Sequence, residues 1–317
     1  MSEARNGRIQ TGGAHFNPAE VGLFFSAVVD NLLGIAAGIH DNLLIPVVYV
    51  DQATIEQIKI WSGRGRRFLV DSGVFTLAAQ YAREHGVSLP EALGTPPAEM
   101  PGFEDHFTRY VEVARQLEEH SWGYIEIDLG GREHKLKTRA RLEALGLRPM
   151  PVYHPLNDGW EYFDLLAQRY DRVCIGNIVD ASPSVRWRLL STIVERRRSY
   201  PDLWIHLLGM THHFMNYAWP CESLDSSTFF SALRWGRMAT YAAGKVVSNL
   251  PEGFNYKFGD DPTQRWIKMA QLGQSETRAM EVGWKHFMGR VVDVLGLRRD
   301  EEQGGAAWSF LAHWAQM

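Results

Sequence analysis

Short apolar segments alternate with stretches of helical spacing along most of the chain, and this alternation constrains the fold more than any other feature. The apolar segments cover residues 44–50, 68–70, 124–127, 150–153, 173–178, 205–208 and 223–224. Buried strands separated by helices are typical of a parallel sheet, which is either open or closed into a barrel. The sequence therefore predicts an α/β fold.

Two of the intervening stretches carry clear helical patterns. Apolar residues recur at intervals of three and four between Phe107 and Leu117, and again between Trp187 and Val194. Residues 182 and 183 precede the second pattern as Ser-Pro, where serine can cap a helix and proline suits its first position. The proline-rich residues 81–102 predict an excursion on the rim of the sheet, and residues 263–317 predict a mostly helical appendage.

The composition limits the class of protein. Hydrophobic residues at 45% and charged residues at 22% are globular values, and the net charge is −4. A chain with this charge is not globally basic, so any contact with nucleic acid must come from a local patch. With only Cys174 and Cys221, a polar start and no long apolar run, we expect a cytoplasmic protein without disulfides or a membrane span.

Most predicted strands end in a polar residue or a glycine. These residues are Asp71, Asp128, His154, Gly176, Asn177, Gly209 and Asp225. In a parallel α/β barrel the carboxyl ends of all strands lie on one face, where such barrels place their active sites. Each residue alone also fits a turn or a helix cap, but together they predict one shared pocket that contains three carboxylates.

The sequence Asp-Ser-Gly-Val-Phe at residues 71–75 is the most informative of these strand ends. Asp71 follows an apolar strand, Gly73 lets the backbone approach a ligand, and Phe75 offers a stacking face. Most such triplets are ordinary turns, so this segment alone is weak evidence for a binding site.

The ordered series of motifs resembles the tRNA-guanine transglycosylase superfamily, and especially its phage and bacterial branch, which places 7-deazaguanines in DNA. The motifs are D-S-G-V-F at 71–75, Y-I-E-I-D at 124–128, P-V-Y-H at 151–154, C-I-G-N at 174–177, H-L-L-G-M at 206–210 and L-D-S-S-T at 224–228. The resemblance extends over residues 44–240. We expect a (β/α)8 barrel of the TIM type with a rim insertion over residues 1–250, and a helical extension packed on it over residues 251–317.

The resemblance implies a role for each matched residue. Asp225 matches the nucleophile that attacks the ribose C1′, Asp71 matches the acid that transfers protons, and Asp128 matches the carboxylate that recognises the guanine-like edge. The other matched residues would contact the base: Ser72, Phe75, His154, Gly176, Asn177, Leu208 and Gly209. The implied reaction exchanges guanine in DNA for a 7-deazaguanine base (preQ0-like) without a cofactor, in two displacements that retain configuration.

The chain also departs from the family pattern. No cysteine follows Asp225, which excludes the Cys/His zinc site of the tRNA enzymes, and Asn177 stands where a second glycine is usual. The spacing of His206, His212, His213 and Cys221 fits no standard zinc site, so we expect no metal. Asn177 leaves the identity of the 7-substituent open, while the missing zinc site and the sequence Asp-Ser-Ser-Thr at 225–228, in place of the Asp-Cys of the tRNA enzymes, favour the DNA branch. A tRNA-directed enzyme without zinc and a catalytically silent partner subunit remain as alternatives.

A cluster of cations follows Asp128 and therefore begins on the predicted active face. Arg132, Lys135 and Lys137 are predicted to bind nucleic-acid phosphates, together with Arg139 and Arg141. The expected partners are DNA, with tRNA as the alternative, and a small 7-deazaguanine base. For a phage-encoded chain the expected compartment is the host cytoplasm, and the sequence leaves the oligomeric state open.

Overall fold

A computed structural model of the chain describes residues 7–17, 22–25, 33, 37, 40–209, 221–226, 240–242 and 245–247. The chain divides into two compact units, Met1–Ser226 and Ser227–Met317. In the second unit, β9 (Thr240–Ala242) and β10 (Lys245–Val247) form an antiparallel pair. The predicted boundary at residue 250 and the predicted helical extension lie outside the described residues.

The first unit has the mixed α/β architecture that the alternation predicts. Its strands are β1 (Gly22–Phe25), β2 (Asn42–Pro46), β3 (Arg67–Asp71), β4 (Gly123–Tyr124), β5 (Val152–Tyr153), β6 (Arg172–Ile175), β7 (Trp204–Leu207) and β8 (Ser223–Ser226). They form one sheet in the order β4-β3-β2-β1-β8-β7-β6-β5, and every paired register is parallel.

The two strands at the ends of this order are also connected. Just beyond β4, Ile125 forms a parallel bridge with Met150, which lies just before β5. The amide of Glu126 donates to the carbonyl of Met150 at 3.0 Å, and the amide of Met150 donates to the carbonyl of Tyr124 at 2.8 Å. Hydrogen bonds therefore connect the residues that follow β4 with the residues that precede β5.

The described helices lie between consecutive strands. They are α1 (Gln52–Gly63), α2 (Val74–His85), α3 (Leu89–Gly94), α4 (Phe103–Leu117), α5 (Gly131–Ala144), α6 (Trp160–Arg169) and α7 (Pro183–Arg197). Strand β3 shows why the sheet needs this cover, because Phe68, Leu69 and Val70 are all completely buried, on both of its faces. None of the helices in the described part of the chain has the length and apolar character of a membrane span.

Several predicted elements are confirmed and others are corrected. The spacing from Phe107 to Leu117 lies within α4, and Pro183 begins α7, although Ser182 makes no side-chain capping bond there. The apolar run 44–50 is a strand only as far as Pro46, because Val47–Tyr49 is a 3-10 helix. The rim stretch 81–102 begins inside α2 and contains α3, and the sequence did not predict β1.

A buried arginine holds the N-terminal segment, residues 7–17, against the sheet. Arg172 is completely buried and donates to the carbonyls of Thr11 and Gly12, to the Thr11 hydroxyl and to the carbonyl of Trp122. Its guanidinium also lies 4.0 Å from the ring centre of Phe16. Since Trp122 and Arg172 precede or begin β4 and β6, the segment crosses the amino ends of these strands, opposite the predicted site.

Candidate active site

The carboxyl ends of the strands carry the predicted polar residues. Asp71 is the last residue of β3, His154 directly follows β5, and Gly176 directly follows β6. Asp225 lies within β8, next to β7. Because the sheet is parallel, these residues lie along the same edge, where the sequence predicted a shared site.

Asp71 combines a capping role with an unusual acidity. Its Oδ2 accepts a 3.0 Å hydrogen bond from the amide of Gly73, at the start of α2. Burial, followed by the negative charge of Asp128 and then that of Asp225, raises the pKa of the Asp71 carboxyl to about 7. A carboxyl with this pKa can both give and accept a proton at neutral pH.

The residues around Asp71 shape the entrance of the site. Gly73 has φ of 72°, a conformation that favours glycine, and a Cβ there would lie 3.0 Å from Cγ1 of Val48. Ser72 is buried, and its hydroxyl accepts a 3.5 Å contact from the amide of Val74. Phe75, in the first turn of α2, leaves 60% of its surface exposed, so its ring is free to stack on a ligand.

His106 is a buried neighbour that the sequence did not single out. It lies on α4, and burial lowers the pKa of its imidazole although a hydrogen bond with the Ser72 backbone opposes this. The apolar spacing of α4 concealed it, because position 106 falls on the same inward face as Phe103 and Tyr110.

Asp128 and His154 form a close pair. Nε2 of His154 lies 3.0 Å from Oδ2 of Asp128. Burial opposes ionisation of Asp128, but the hydrogen bond with His154 and the charge of Lys135 contribute to a net lowering of its pKa. Asp128 is therefore ionised at neutral pH and acts as a hydrogen-bond acceptor.

The structure overturns the prediction for Lys135. Its side chain is 0% exposed, and its ammonium lies 2.6 Å from Oδ2 of Asp158 and 3.1 Å from the carbonyl of Val152. The segment that follows Asp128 is the helix α5, and Lys135 lies on its inward face. A buried and paired ammonium cannot contact phosphates. Lys135 instead lies inside the protein, next to His154.

The other cations of α5 divide between surface and interior. Lys137 is exposed and lies 2.7 Å from Glu133, and Arg132 is partly exposed and lies 2.7 Å from Glu161. These two remain on the surface, as their predicted role requires. Arg141 is exposed as well and lies 2.7 Å from Glu104, whereas Arg139 is buried with its Nε 2.8 Å from Oε2 of Glu126.

Helical spacing contained a signal for the inward face of α5. Positions 135, 138, 139 and 142 recur at intervals of three and four, and all four side chains are buried. Leu142 is the only apolar residue of this set, so the charges at 135 and 139 obscured the pattern. Glu126 lies inside the predicted strand 124–127 and Asp158 follows the turn at residues 155–157, so neither acid occupied a strand end at which the sequence identified other acids.

Gly176 and Asn177 lie beside the His154 ring. A Cβ at Gly176 would lie 2.7 Å from Cδ2 and 2.8 Å from Nε2 of His154, so glycine leaves the space that the imidazole fills. Asn177 has φ of 51°, and its buried Oδ1 has no hydrogen-bond partner among the described residues. This amide oxygen is a candidate ligand contact.

Asp225 is almost completely buried, with 5% of its surface exposed. Its Oδ1 accepts a 2.8 Å hydrogen bond from the amide of Gly209 and lies 3.4 Å from Nε2 of His206. Nδ1 of His206 in turn lies 2.6 Å from the hydroxyl of Ser223. Leu208, which directly follows β7 in the sequence, is half-buried. Met210 lies outside the described residues.

The described residues include no group of three or more histidine, cysteine, aspartate or glutamate side chains that could hold a metal ion. His212 and His213 of the predicted cluster lie outside the described residues. Both cysteines are free thiols, with Cys174 buried and Cys221 partly buried.

Comparisons with known proteins give only a distant likeness. No protein-family model matches the sequence, and no curated protein is similar to it. A solved structure described as "Structural study of Project ID from Aquifex aeolicus VF5" is 13% identical, with a TM-score of 0.43 over 67% of this chain and 86% of that chain. A likeness of this size carries no argument about function.

Proposed function

We propose that this protein is a DNA guanine transglycosylase, which exchanges guanine in DNA for a 7-deazaguanine base through a covalent intermediate on Asp225. The observation that carries the proposal is the position of Asp71, Asp128 and Asp225 at one edge of the sheet, where burial and then the charges of the other two carboxylates raise the pKa of Asp71 to about 7. A carboxyl group that can hold a proton at neutral pH suits an enzyme that needs an acid beside its nucleophile.

In the proposed reaction, an oxygen of Asp225 attacks C1′ of the target nucleotide, and the bond from C1′ to guanine breaks. Both described contacts of this carboxylate go to Oδ1, so we assign the attack to Oδ2. Protonated Asp71 gives its proton to the leaving base. The ionised Asp71 then takes a proton from the incoming base, which displaces Asp225 and restores the original configuration.

We also propose that the sheet is the closed (β/α)8 barrel of the transglycosylase superfamily. The order of the strands and the bridge between Ile125 and Met150 support closure. A closed barrel would bring the ends of β3, β4, β5, β6 and β8 around one opening, since strands at opposite sides of the order become neighbours.

Such an opening cannot reach C1′ of a stacked nucleotide, so the target would be flipped out of the DNA. The exposed ring of Phe75 would stack on the extruded base, and Leu208 would lie on its other face. Arg132 and Lys137 remain at the surface of α5 and would contact phosphates. On binding, Arg132 would leave Glu161 and Lys137 would leave Glu133 to contact the nucleic acid.

Base exchange is tested directly with purified protein and labelled guanine in DNA and, separately, in tRNA. We expect release of labelled guanine from DNA only when a 7-deazaguanine is present, and a protein–DNA complex that resists denaturant. Asp225→Asn should abolish both while it still binds DNA. Release from tRNA alone would move the activity to the tRNA-directed class, and no release from either would favour a silent subunit.

A further inference from the structure

The ammonium of Lys135 restricts where the proton of His154 can lie. Nζ of Lys135 is 3.4 Å from Nδ1 of His154, on the side of the ring away from Asp128. An ammonium has only donors, so the nitrogen that faces it must be an acceptor without a proton. A proton on Nδ1 would instead place two positive N–H groups against each other.

The remaining ring nitrogen faces an acceptor. Asp128 is ionised, and its Oδ2 lies 3.0 Å from Nε2 of His154, so Nε2 is the nitrogen that carries the proton. The two neighbours thus require the same neutral tautomer, with Nδ1 bare and Nε2 protonated. Such agreement between the two sides of a ring fixes a histidine tautomer.

Other contacts hold this arrangement rigidly. Asp158 is buried, and its Oδ2 accepts from Nζ of Lys135 at 2.6 Å and from the backbone amide of His154 at 2.8 Å. Gly176 leaves room for the ring, since a Cβ there would lie 2.7 Å from Cδ2 of His154. Asp158 therefore holds both the ammonium of Lys135 and the backbone of His154.

From this geometry we propose that Lys135 is a specificity-determining residue: it donates to Nδ1 of His154 and so fixes the proton on Nε2, which makes His154 a donor beside the Asp128 acceptor. A ligand edge with an acceptor next to a donor fits this pair. The 6-oxopurine class has such an edge, in O6 followed by N1–H. Binding would lengthen the contact between His154 and Asp128 as the ligand enters between them.

A 6-aminopurine presents the opposite order. Its amino group would face the Nε2–H donor, and its bare N1 would face the Asp128 carboxylate, so both pairs would be left unsatisfied. If the proton of His154 moved to Nδ1, Nε2 would accept from the amino group, and only the mismatch between N1 and Asp128 would remain. With the ligand between His154 and Asp128, Lys135 alone holds the proton on Nε2, so it controls one of the two mismatches although it touches no ligand.

The tautomer is measured by nitrogen NMR on the full chain with labelled histidine, using His154→Gln to identify the signal. At pH 7 we expect the wild type to show a protonated Nε2 and a bare Nδ1. Lys135→Met should allow a proton on Nδ1 as well, because only Asp128 then acts on the ring, whereas Lys59→Met, which removes a partly exposed lysine on α1, should keep Nδ1 bare. A protonated Nδ1 in the wild type would overturn the proposal whether or not any variant folds.

Binding of 7-deazaguanine and of its 6-amino counterpart, 7-deazaadenine, tests the selection. We expect the wild type to prefer the 6-oxo base by about 10- to 100-fold, Lys135→Met to lose the part of that preference that comes from the Nε2 contact, and Lys135→Arg to lose less. Equal preference in the wild type and Lys135→Met would overturn the proposal. The selection rests on the proposed function, but the tautomer does not: if neither base binds and the tautomer is as expected, the transglycosylase proposal alone fails.

Discussion

The backbone amide of Gly209 donates a 2.8 Å hydrogen bond to Oδ1 of Asp225. Gly209 has φ of 69°, and the turn after β7 needs this conformation to point its amide at the neighbouring strand. The contact fixes one carboxylate oxygen and thereby the direction of the other. Because the backbone makes this contact, the side chain at 225 should keep its orientation when the carboxylate is replaced by a neutral amide.

Asp225→Asn therefore separates chemistry from structure. An asparagine Oδ1 can still accept from the amide of Gly209, so we expect the melting temperature to change by no more than a few degrees. The covalent intermediate cannot form, and base exchange should fall to background. Thermal denaturation and the exchange assay check the two parts. Unfolding of the variant, or retained exchange, would contradict the assignment.

Asp71→Asn should change the dependence of stability on pH. In the folded protein Asp71 keeps its proton up to about pH 7, whereas in the unfolded chain it ionises near 3.8. The folded state therefore binds the extra proton between these values, and stability from this group is full below the lower value and lost as pH rises through the upper one.

The asparagine of Asp71→Asn does not titrate, so this variant lacks the loss of stability that Asp71 causes as pH rises. Its free energy of unfolding relative to wild type should increase by about 2–4 kcal/mol between pH 4 and pH 8, since each pKa unit corresponds to about 1.4 kcal/mol. Denaturant unfolding at several pH values measures this difference. Parallel curves for the two proteins would show that Asp71 ionises normally.

Gly176→Ala should disturb the His154 ring. The added Cβ would lie 2.7 Å from Cδ2 of the imidazole, so the ring must move, at a cost of about 1–3 kcal/mol in stability. Base binding should weaken with it. Gly63→Ala is the matched control, because a Cβ at this residue of α1 meets nothing within 4 Å. Equal effects of the two variants on base binding would contradict the role of Gly176.

Glu126→Gln tests the buried pair with Arg139. The pair is separated by 2.8 Å, and Oε1 of Glu126 also accepts from the amide of Val152 at 2.6 Å. Removing the negative charge leaves a buried guanidinium without its counter-ion, which costs about 3–5 kcal/mol. Glu104→Gln breaks an exposed pair with Arg141 and should cost no more than about 1 kcal/mol. Denaturant unfolding of both variants gives the comparison.

Phe75→Ala and Lys137→Ala should affect different steps. Phe75 is largely exposed, so its loss should leave stability unchanged but weaken capture of the flipped base by about 1–3 kcal/mol. Loss of Lys137 should lower affinity for DNA of any sequence and reduce the salt slope by about one. Fluorescence of a base analogue and salt titrations distinguish the two. If both variants weakened only overall DNA affinity, Phe75 would not be the stacking residue.

The sequence predicted the strands well because buried apolar runs are local signals. Residues 68–70 and 205–207 are strands in the structure, with Asp71 directly after the first and Gly209 two residues after the second. The exact lengths were less predictable. Val47–Tyr49 is as apolar as a strand, yet it turns into a 3-10 helix after Pro46, and nothing in its composition marks the change.

The site was predictable in its acids but not in its cations. Asp71 and His154 follow strands, and a strand end has a known direction in a parallel sheet. Lys135 lies on a helix, where a lysine can either face solvent or pair with a buried acid. Its partner Asp158 is distant in sequence, so only the fold could show that the lysine supports His154 and does not face phosphates.

The contacts of Arg172 with the N-terminal segment, residues 7–17, affect the order in which the chain can fold. Thr11 and Gly12 are synthesised before β6, but the side chain that holds them belongs to β6, about half the chain later. On the ribosome the N-terminal segment must therefore wait without its permanent contacts until β6 has emerged. We expect a truncated chain that ends before Arg172 to expose this segment to proteases, while the complete chain protects it.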